Sequence, residues 1–284
     1  MSNDRFLLSL FDPSPGKPEV MGILNLDSNS FYRTSVVESV DQALKRVEIW
    51  YKAGLRLLDL GAFTSRPGAI IPDPVFEWNV LDPYLKELIH SFPDLIFSLD
   101  TVHGSTAEKA INLGVEIIND ISGGTFDLHM IQIIAQHKKT MIAMHMRGVP
   151  ATMNLPEHLQ YDQLLPDLIK YFANKVYELQ EKGINRVIID PGIGFSKVLT
   201  DNYKILSQLE LFKIVDAPLL IGMSRKSMFW KLLDTSPEDV LGASLAANTL
   251  AMWKGCKIIR VHDVLESLQS ALVIRKCFQS IDPN

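Results

Sequence analysis

Cysteine is scarce in this 284-residue chain, with Cys256 and Cys277 the whole supply. They stand at no metal-ligand spacing and form no secreted disulfide framework, so both read as buried or incidental thiols. Long apolar runs are missing as well. Nothing approaches the roughly 20 residues that a helix needs to cross a bilayer. The apolar N-terminal stretch ending at Leu10 is too short for a signal peptide, and Asp12, Pro13 and Pro15 break it. A soluble, cytoplasmic protein with no membrane contact is the expectation. Basic residues are in the minority, 28 against 33 acidic ones, for a net charge of −5. That balance excludes a general surface for nucleic acid or anionic lipid, so any anionic ligand needs a local basic cluster. Nucleotide motifs are absent too. Gly192 and Gly194 do not make a dinucleotide fingerprint, and no phosphate loop ending in Gly-Lys-Ser/Thr occurs.

What the chain does have is alternation. It is 47% hydrophobic and 21% charged, enough for a sizeable core. Short aliphatic runs stand at Val20–Leu24, Leu57–Leu60, Ile96–Leu99, Glu116–Ile118, Met141–Met144, Arg186–Ile189, Leu219–Ile221 and Lys257–Val261. Strands buried on both faces of a parallel sheet have this composition. Between them lie helix-like stretches at Val37–Ala53, Pro74–Ser91, Ser105–Leu113, Leu128–His137, Gln163–Lys182, Asn202–Leu211, Pro237–Trp253 and Val264–Phe278. Asp201 and Ser236-Pro237 read as start signals. Gly54, Gly114, Gly183 and Gly255 each follow a helix, where a left-handed residue is commonly needed. Eight strand–helix units without a linker or low-complexity tract predict an α/β fold: a single-domain (β/α)₈ barrel over residues 1–284. A doubly wound open sheet is the runner-up. The segment before the first strand is expected to form a hairpin under the barrel.

In such a barrel the chemistry sits at the C-terminal ends of the strands. Read in order, those ends carry Asn25, then Asp59-Leu-Gly61, then Asp100, Asn119-Asp120, Met144-His-Met-Arg147, Asp190-Pro-Gly-Ile-Gly-Phe195, Gly222-Met-Ser-Arg-Lys226 and Arg260-Val-His262-Asp263. Asp100, Asn119 and Asp190 offer acceptors and an amide. Arg66, Lys226, Arg260 and His262 offer donors and positive charge. Together they suit a ligand with a donor-rich heterocycle at one end and a phosphate at the other. Each has a plainer reading. A strand-end Asp often caps the next helix, Arg225 and Arg260 suit rim ion pairs, and His145 and His262 suit packed histidines. Asp120 and Asp263 read as structural.

The segments Met21-Gly-Ile-Leu-Asn25, Ser65-Arg-Pro-Gly-Ala69, Ile117-Ile-Asn-Asp-Ile-Ser122, Met144-His-Met-Arg-Gly148, Asp190-Pro-Gly-Ile-Gly-Phe195, Gly222-Met-Ser-Arg-Lys-Ser227 and Arg260-Val-His-Asp263 resemble, in order and spacing, those of the dihydropteroate synthase family. The resemblance implies a transferase of folate biosynthesis that displaces diphosphate from a dihydropterin-methyl diphosphate with the amine of p-aminobenzoate. It implies that Asp100, Asn119, Asp190, Met144 and Gly222 hold the pterin, joined by Lys226 and Arg260. Asn25, Ser65, Arg260 and His262 would hold the diphosphate, with Asn25 meeting Mg²⁺. Ser65, Arg66, Pro67, Phe195, Lys226 and Ser227 would line the p-aminobenzoate pocket, and sulfonamides are the implied inhibitor class. A homodimer through helices on the far side of the barrel is also implied.

The first loop departs from the family. Where relatives read N-V-T-P-D-S-F, this chain has Asn25-Leu-Asp-Ser-Asn-Ser-Phe31, and Thr34-Ser35 replace a glycine pair. Asn29 cannot carry the charge of the Asp it replaces, whereas Asp27 can, so Asp27 joins Lys226 and Arg260 as a catalytic candidate. Phe63 stands where Glu is common. Two competing readings follow: a catalytically impaired pterin-binding paralogue, motivated by that loop, and a pterin-dependent methyltransferase domain, which Lys226 and the Ser-Arg-Lys-Ser segment disfavour. If the loop charge has moved, Asp27→Ala loses turnover while Asn29→Ala keeps normal steady-state rates. Indifference to both changes would show that no displaced carboxylate acts there.

Overall fold

Aliphatic runs become strands at all eight expected places, with boundaries shifted by a residue or two. They are β1 (Glu19–Asn25), β2 (Leu57–Gly61), β3 (Ile96–Asp100), β4 (Ile117–Asp120), β5 (Thr140–Met144), β6 (Val187–Asp190), β7 (Leu220–Ile221) and β8 (Ile258–Val261). The computed structural model describes residues 2–14, 16–26, 37–64, 66 and 68–281. Every strand pair is parallel, in the order β6-β5-β4-β3-β2-β1-β8-β7. A parallel bridge between Ile189 and Leu219 joins β6 to β7, supported by a bond of 2.9 Å from Ile189 N–H to Pro218 O. The sheet therefore closes into a barrel, and the open doubly wound alternative is excluded.

Helices α2 (Val40–Lys52), α3 (Pro74–Ser91), α4 (Gly104–Leu113), α5 (Met130–Gln136) and α6 (Leu164–Glu181) surround it, then α7 (Leu199–Ser207), α8 (Ser227–Leu233), α9 (Leu241–Trp253) and α10 (Val264–Ile281). The start of α3 shows local chemistry at work: Asp73 accepts from Val75 N and Phe76 N, and Pro74 takes a position that needs no donor. The four helix-ending glycines all adopt positive φ. Among the described residues no helix is long and apolar enough to cross a membrane.

Three expectations are corrected. The segment before β1 is a helix, α1 (Asn3–Ser9), not a hairpin. Its Phe6, Leu7 and Leu10 share one helical face, and they bury against Met21, Leu57, Ile96, Ile117, Ile142, Ile188, Leu220 and Ile258 in the barrel interior. A helix presents that i, i+1, i+4 stripe to one side, whereas a strand would split it. The sixth helix begins at Leu199, so Asp201 lies within its first turn. A separate 3₁₀ stretch, Leu209–Val215, follows it. Pro237 opens a 3₁₀ turn rather than α9, and α8 is an extra helix right after the Ser-Arg-Lys segment.

The plug makes the lower end of the barrel dry. Leu7 is fully buried there, so Leu7→Ala should lower the unfolding free energy by about 2–5 kcal/mol. Denaturant melting measures this, and an unchanged midpoint would mean that α1 does not seal the barrel.

Candidate active site

Side chains alternate along a strand, so every second residue faces the barrel axis. Beyond the apolar floor those inward positions turn polar: Asp59 follows Leu57, Asn119 follows Ile117, Asp190 follows Ile188 and Arg260 follows Ile258. Strand register sets Asn25 beside Gly61, Gly61 beside Asp100, and Asp100 beside Asn119. Above them opens a cavity of about 600 Å³, within the usual range of small-molecule sites, roughly 300–1,000 Å³. Of the expected residues, Asn25, Arg66, Asp100, Phe195, Lys226, Ser227, Arg260 and His262 line it. Asn119, Asp190 and Met144 are buried in the strand walls beneath, and Gly222 continues β7 beside Arg260. Asp27, Ser65 and Pro67 lie outside the described residues. A second, more open hollow of about 680 Å³ beside the start of α6 gathers no strand-end residue.

Arg260 organises the polar layer. Its Nε donates to Asp59 Oδ2 at 2.6 Å and its Nη2 to Asp100 Oδ2 at 2.9 Å. Asn119 Nδ2 also donates to Asp59 Oδ2, at 3.2 Å. Asp59 was noted in the sequence only as part of a strand end, and its role as the shared acceptor was missed. The signal was there: a lone carboxylate in the apolar run Leu57-Leu58-Asp59-Leu60 needs a buried partner.

Burial shifts the charges. It pushes the Asp100 carboxyl up to about 7; the Arg260 cation opposes this, and the like charges of Asp59, Glu77 and Asp120 add to it. Asp190 is raised by burial, against the pull of Lys226. Burial lowers Lys226 to about 8, with Asp190 opposing and Arg260 reinforcing. Burial also works against the Arg260 charge, yet Asp59 and Asp100 more than offset it and hold the guanidinium above its ordinary value. His262 falls to about 3 through burial and the nearby cations Arg260, Arg225 and Lys226. Its backbone N–H donates to Ser224 Oγ at 3.2 Å, and ring Nδ1 lies 3.2 Å from the same hydroxyl. One hydroxyl thus ties both the backbone and the ring of His262 to the loop after β7.

The loop after β6 shapes the other wall. Gly192 has φ +68°, and a Cβ there would lie 2.2 Å from His145 O, so the turn requires glycine. Asp190 Oδ1 accepts from Gly192 N–H at 2.8 Å. Lys226 Nζ donates to Ile193 O and sits 4.7 Å from the Phe195 ring centroid, a cation–π arrangement. Lys197, which sequence reasoning missed, is buried with Nζ 3.0 Å from Phe195 O and 3.1 Å from His145 Nδ1. Burial lowers this lysine to about 7.

The plainer readings divide. Asp100 caps no helix, since His103 holds the position before α4. Asp190 does cap its own turn while facing Lys226. Asp120 is structural as expected, accepting from Ser122 N and Gly124 N. Arg225 is a rim ion pair with Asp263 at 2.6 Å. His145 is a packed histidine, edge-on to Tyr171 at 4.7 Å.

Among the described residues no group of three His, Cys, Asp or Glu could hold a metal. Asn25 Oδ1 and Asp100 Oδ2 converge above Gly61, each 3.9 Å from where a Cβ of that residue would be. A glycine keeps that space open. One or two hard oxygens suit Mg²⁺, which commonly takes its other ligands from water and substrate phosphates.

Residues 21–262 match the sequence profile described as pterin binding enzyme. The dihydropteroate synthase of Escherichia coli (strain K12) is 34% identical over 259 residues, covering 90% of each chain. The crystal structure of Yersinia pestis dihydropteroate synthase with a sulfonamide drug complex superposes with a TM-score of 0.88 at 32% identity, covering 94% of this chain and 96% of that one. The Xanthomonas albilineans dihydropteroate synthase with 4-aminobenzoic acid gives 0.82 at 27% identity, covering 92% and 93%.

The raised Asp100 value predicts a measurable titration. A carboxyl whose folded value lies above its ordinary 3.8 holds its proton more tightly in the folded state. It therefore adds stability as pH falls through about 7 and removes it as pH rises through that value. Carbon-13 NMR of the ligand-free protein should show Asp100 with a midpoint near neutrality, and Asp100→Asn should flatten its share of the stability profile. A midpoint near 4 would contradict the burial argument.

Proposed function

We infer the reaction from a plain premise: the chain belongs to the pterin-binding enzyme family. It acts as a dihydropteroate synthase, a transferase that joins (7,8-dihydropterin-6-yl)methyl diphosphate to p-aminobenzoate and releases diphosphate. The observation that carries this reading is the gathering of Asp100, Arg260, Lys226, His262 and Phe195 around one cavity at the strand ends.

The residue roles follow from chemistry. The aminopyrimidinone edge of a pterin presents several N–H donors, and Asp100 and Asp190 supply carboxylates for charge-assisted bonds. Asn119 adds an amide oxygen, since its Nδ2 is already committed to Asp59. Lys226 meets the acceptor side of the ring and stands between it and Phe195, whose face is suited to the benzoate ring. Arg66 and Ser227 complete that pocket. Arg260 and the His262 ring hold the diphosphate at the mouth. Mg²⁺, held by Asn25 together with diphosphate oxygens, would neutralise charge on the leaving group.

Ionisation comes first. The bond between the methylene carbon and the diphosphate oxygen breaks, and the oxygen keeps the pair. The pterin spreads the resulting positive charge, and the aniline nitrogen then forms the new C–N bond and sheds one proton to water. So weakly basic an amine needs no strong general base, and the protein contributes through electrostatic placement of cations around the departing diphosphate. A homodimer and a cytoplasmic setting belong to the same proposal.

The test is diphosphate release from the two substrates with Mg²⁺. Lys226→Ala and Arg260→Ala should each lower turnover by orders of magnitude, about 10²- to 10³-fold. Near-normal rates in either would overturn the assignment, and absence of release by the unaltered protein would overturn the reaction.

A further inference from the structure

We propose that Asp59 is a positioning residue: it fixes the Arg260 guanidinium and the Asn119 amide in the orientation that the substrate meets. The inference rests on the pterin-diphosphate reading above. Asp59 lies two residues before the end of β2 and is fully buried, so it acts through its neighbours and not on the substrate.

The geometry leaves little freedom. The Nε and Nη2 protons of an arginine form one edge of a planar fork. Here that edge is spent inward, Nε on Asp59 at 2.6 Å and Nη2 on Asp100 at 2.9 Å. The plane of the guanidinium is thereby set, and Nη1 remains as the donor group that a diphosphate oxygen can take. The second acceptor position is equally specific. Asn119 Nδ2 donates to the same oxygen, Asp59 Oδ2, at 3.2 Å. An amide whose nitrogen is held in this way presents its carbonyl oxygen to the opposite side, where a pterin N–H is recognised. One carboxylate oxygen thus sets the register between the ring-binding and the tail-binding halves of the site.

Asp59 Oδ1 supports this assignment. Among the described residues it is buried and meets no donor, while both side-chain bonds fall on Oδ2. A lysine in place of Arg260 could offer charge to Asp59 but no fork spanning two carboxylates.

The experiment compares the unaltered protein with Asp59→Asn, which keeps the shape and removes the charge. Turnover with the pterin diphosphate should fall on the order of 10- to 100-fold, as expected for small misplacement of a reacting group. The KM for p-aminobenzoate should stay unchanged, because the side-chain bonds of Asp59 go to Arg260 and Asn119 and not to Phe195, Lys226 or Ser227. Nitrogen-15 NMR of the ligand-free protein, assigned with Arg260→Lys, supplies a readout that general destabilisation would not move. The Arg260 Nε–H should exchange slowly in the unaltered protein and quickly in Asp59→Asn. The NMR measurement on the unaltered protein stands even if Asp59→Asn does not fold. Rapid exchange of Nε–H in the unaltered protein, or full turnover in Asp59→Asn, would overturn the proposal. Lack of turnover by the unaltered protein with a protected Nε–H would instead overturn the substrate reading and leave the positioning geometry standing.

Discussion

A single guanidinium inside a dry barrel holds the polar layer together. Asp59 and Asp100 project into the same interior from neighbouring strands, above a floor sealed by α1. Two carboxylates in that setting cannot both stay ionised unless a cation lies between them. Arg260 is that cation, and removing one partner from such a buried group costs about 3–5 kcal/mol because it strands the other charge. The floor and the charge layer are therefore linked. Phe6, Leu7 and Leu10 keep water from below, and the low dielectric strengthens every contact that Arg260 makes. Burial raises the Asp100 carboxyl towards neutrality and, with the nearby cations, lowers His262.

The mouth is electrostatically prepared for an anion. Burial first, and then the cations Arg260, Arg225 and Lys226, work against a charge on His262. An arriving diphosphate therefore meets cations already positioned by Asp263, Asp59 and Asp100. The acceptors below face the other way: Asp100 and Asp190 await hydrogen-bond donors. A ligand that satisfies both layers must be donor-rich at one end and anionic at the other. That description matches the proposed pterin diphosphate and does not fit a nucleic-acid strand.

Much of this was legible in the residues, for identifiable reasons. The eight strands showed because buried parallel strands must be continuously aliphatic. The polar residues that end them showed because the fold concentrates function there. Asp59 was passed over because it sits inside such a run, and only the two-residue alternation reveals that it points inward with Asn119 and Arg260. Lys197 was missed because its importance comes from a fold-back onto His145 and Phe195, which no local spacing announces. The hairpin expected before β1 failed because the apolar stretch ending at Leu10 was weighed only against a signal peptide, whereas its Phe6, Leu7 and Leu10 form one helical stripe. The altered first loop carries the strongest departure from the family, yet Asp27 and its neighbours fall outside the described residues, so its role rests on sequence alone.

The backbone at the mouth completes the argument. Two residues there without glycine's freedom adopt positive φ: Ser196 at 45° and Arg225 at 57°. Such conformations cost on the order of 1–3 kcal/mol each and persist only where surrounding bonds enforce them. Both are enforced. Ser196 Oγ accepts from Arg147 N–H at 2.9 Å and its carbonyl from Tyr161 Oη at 3.0 Å. Arg225 is held by Asp263 and by the carbonyls of Pro237 and Glu238. Each strained residue adjoins a group proposed to meet substrate, Phe195 in one case and Lys226 in the other. The polar bonds of the rim thus fix where Phe195 and Lys226 lie, as Asp59 fixes Arg260, and the site is built before any ligand enters.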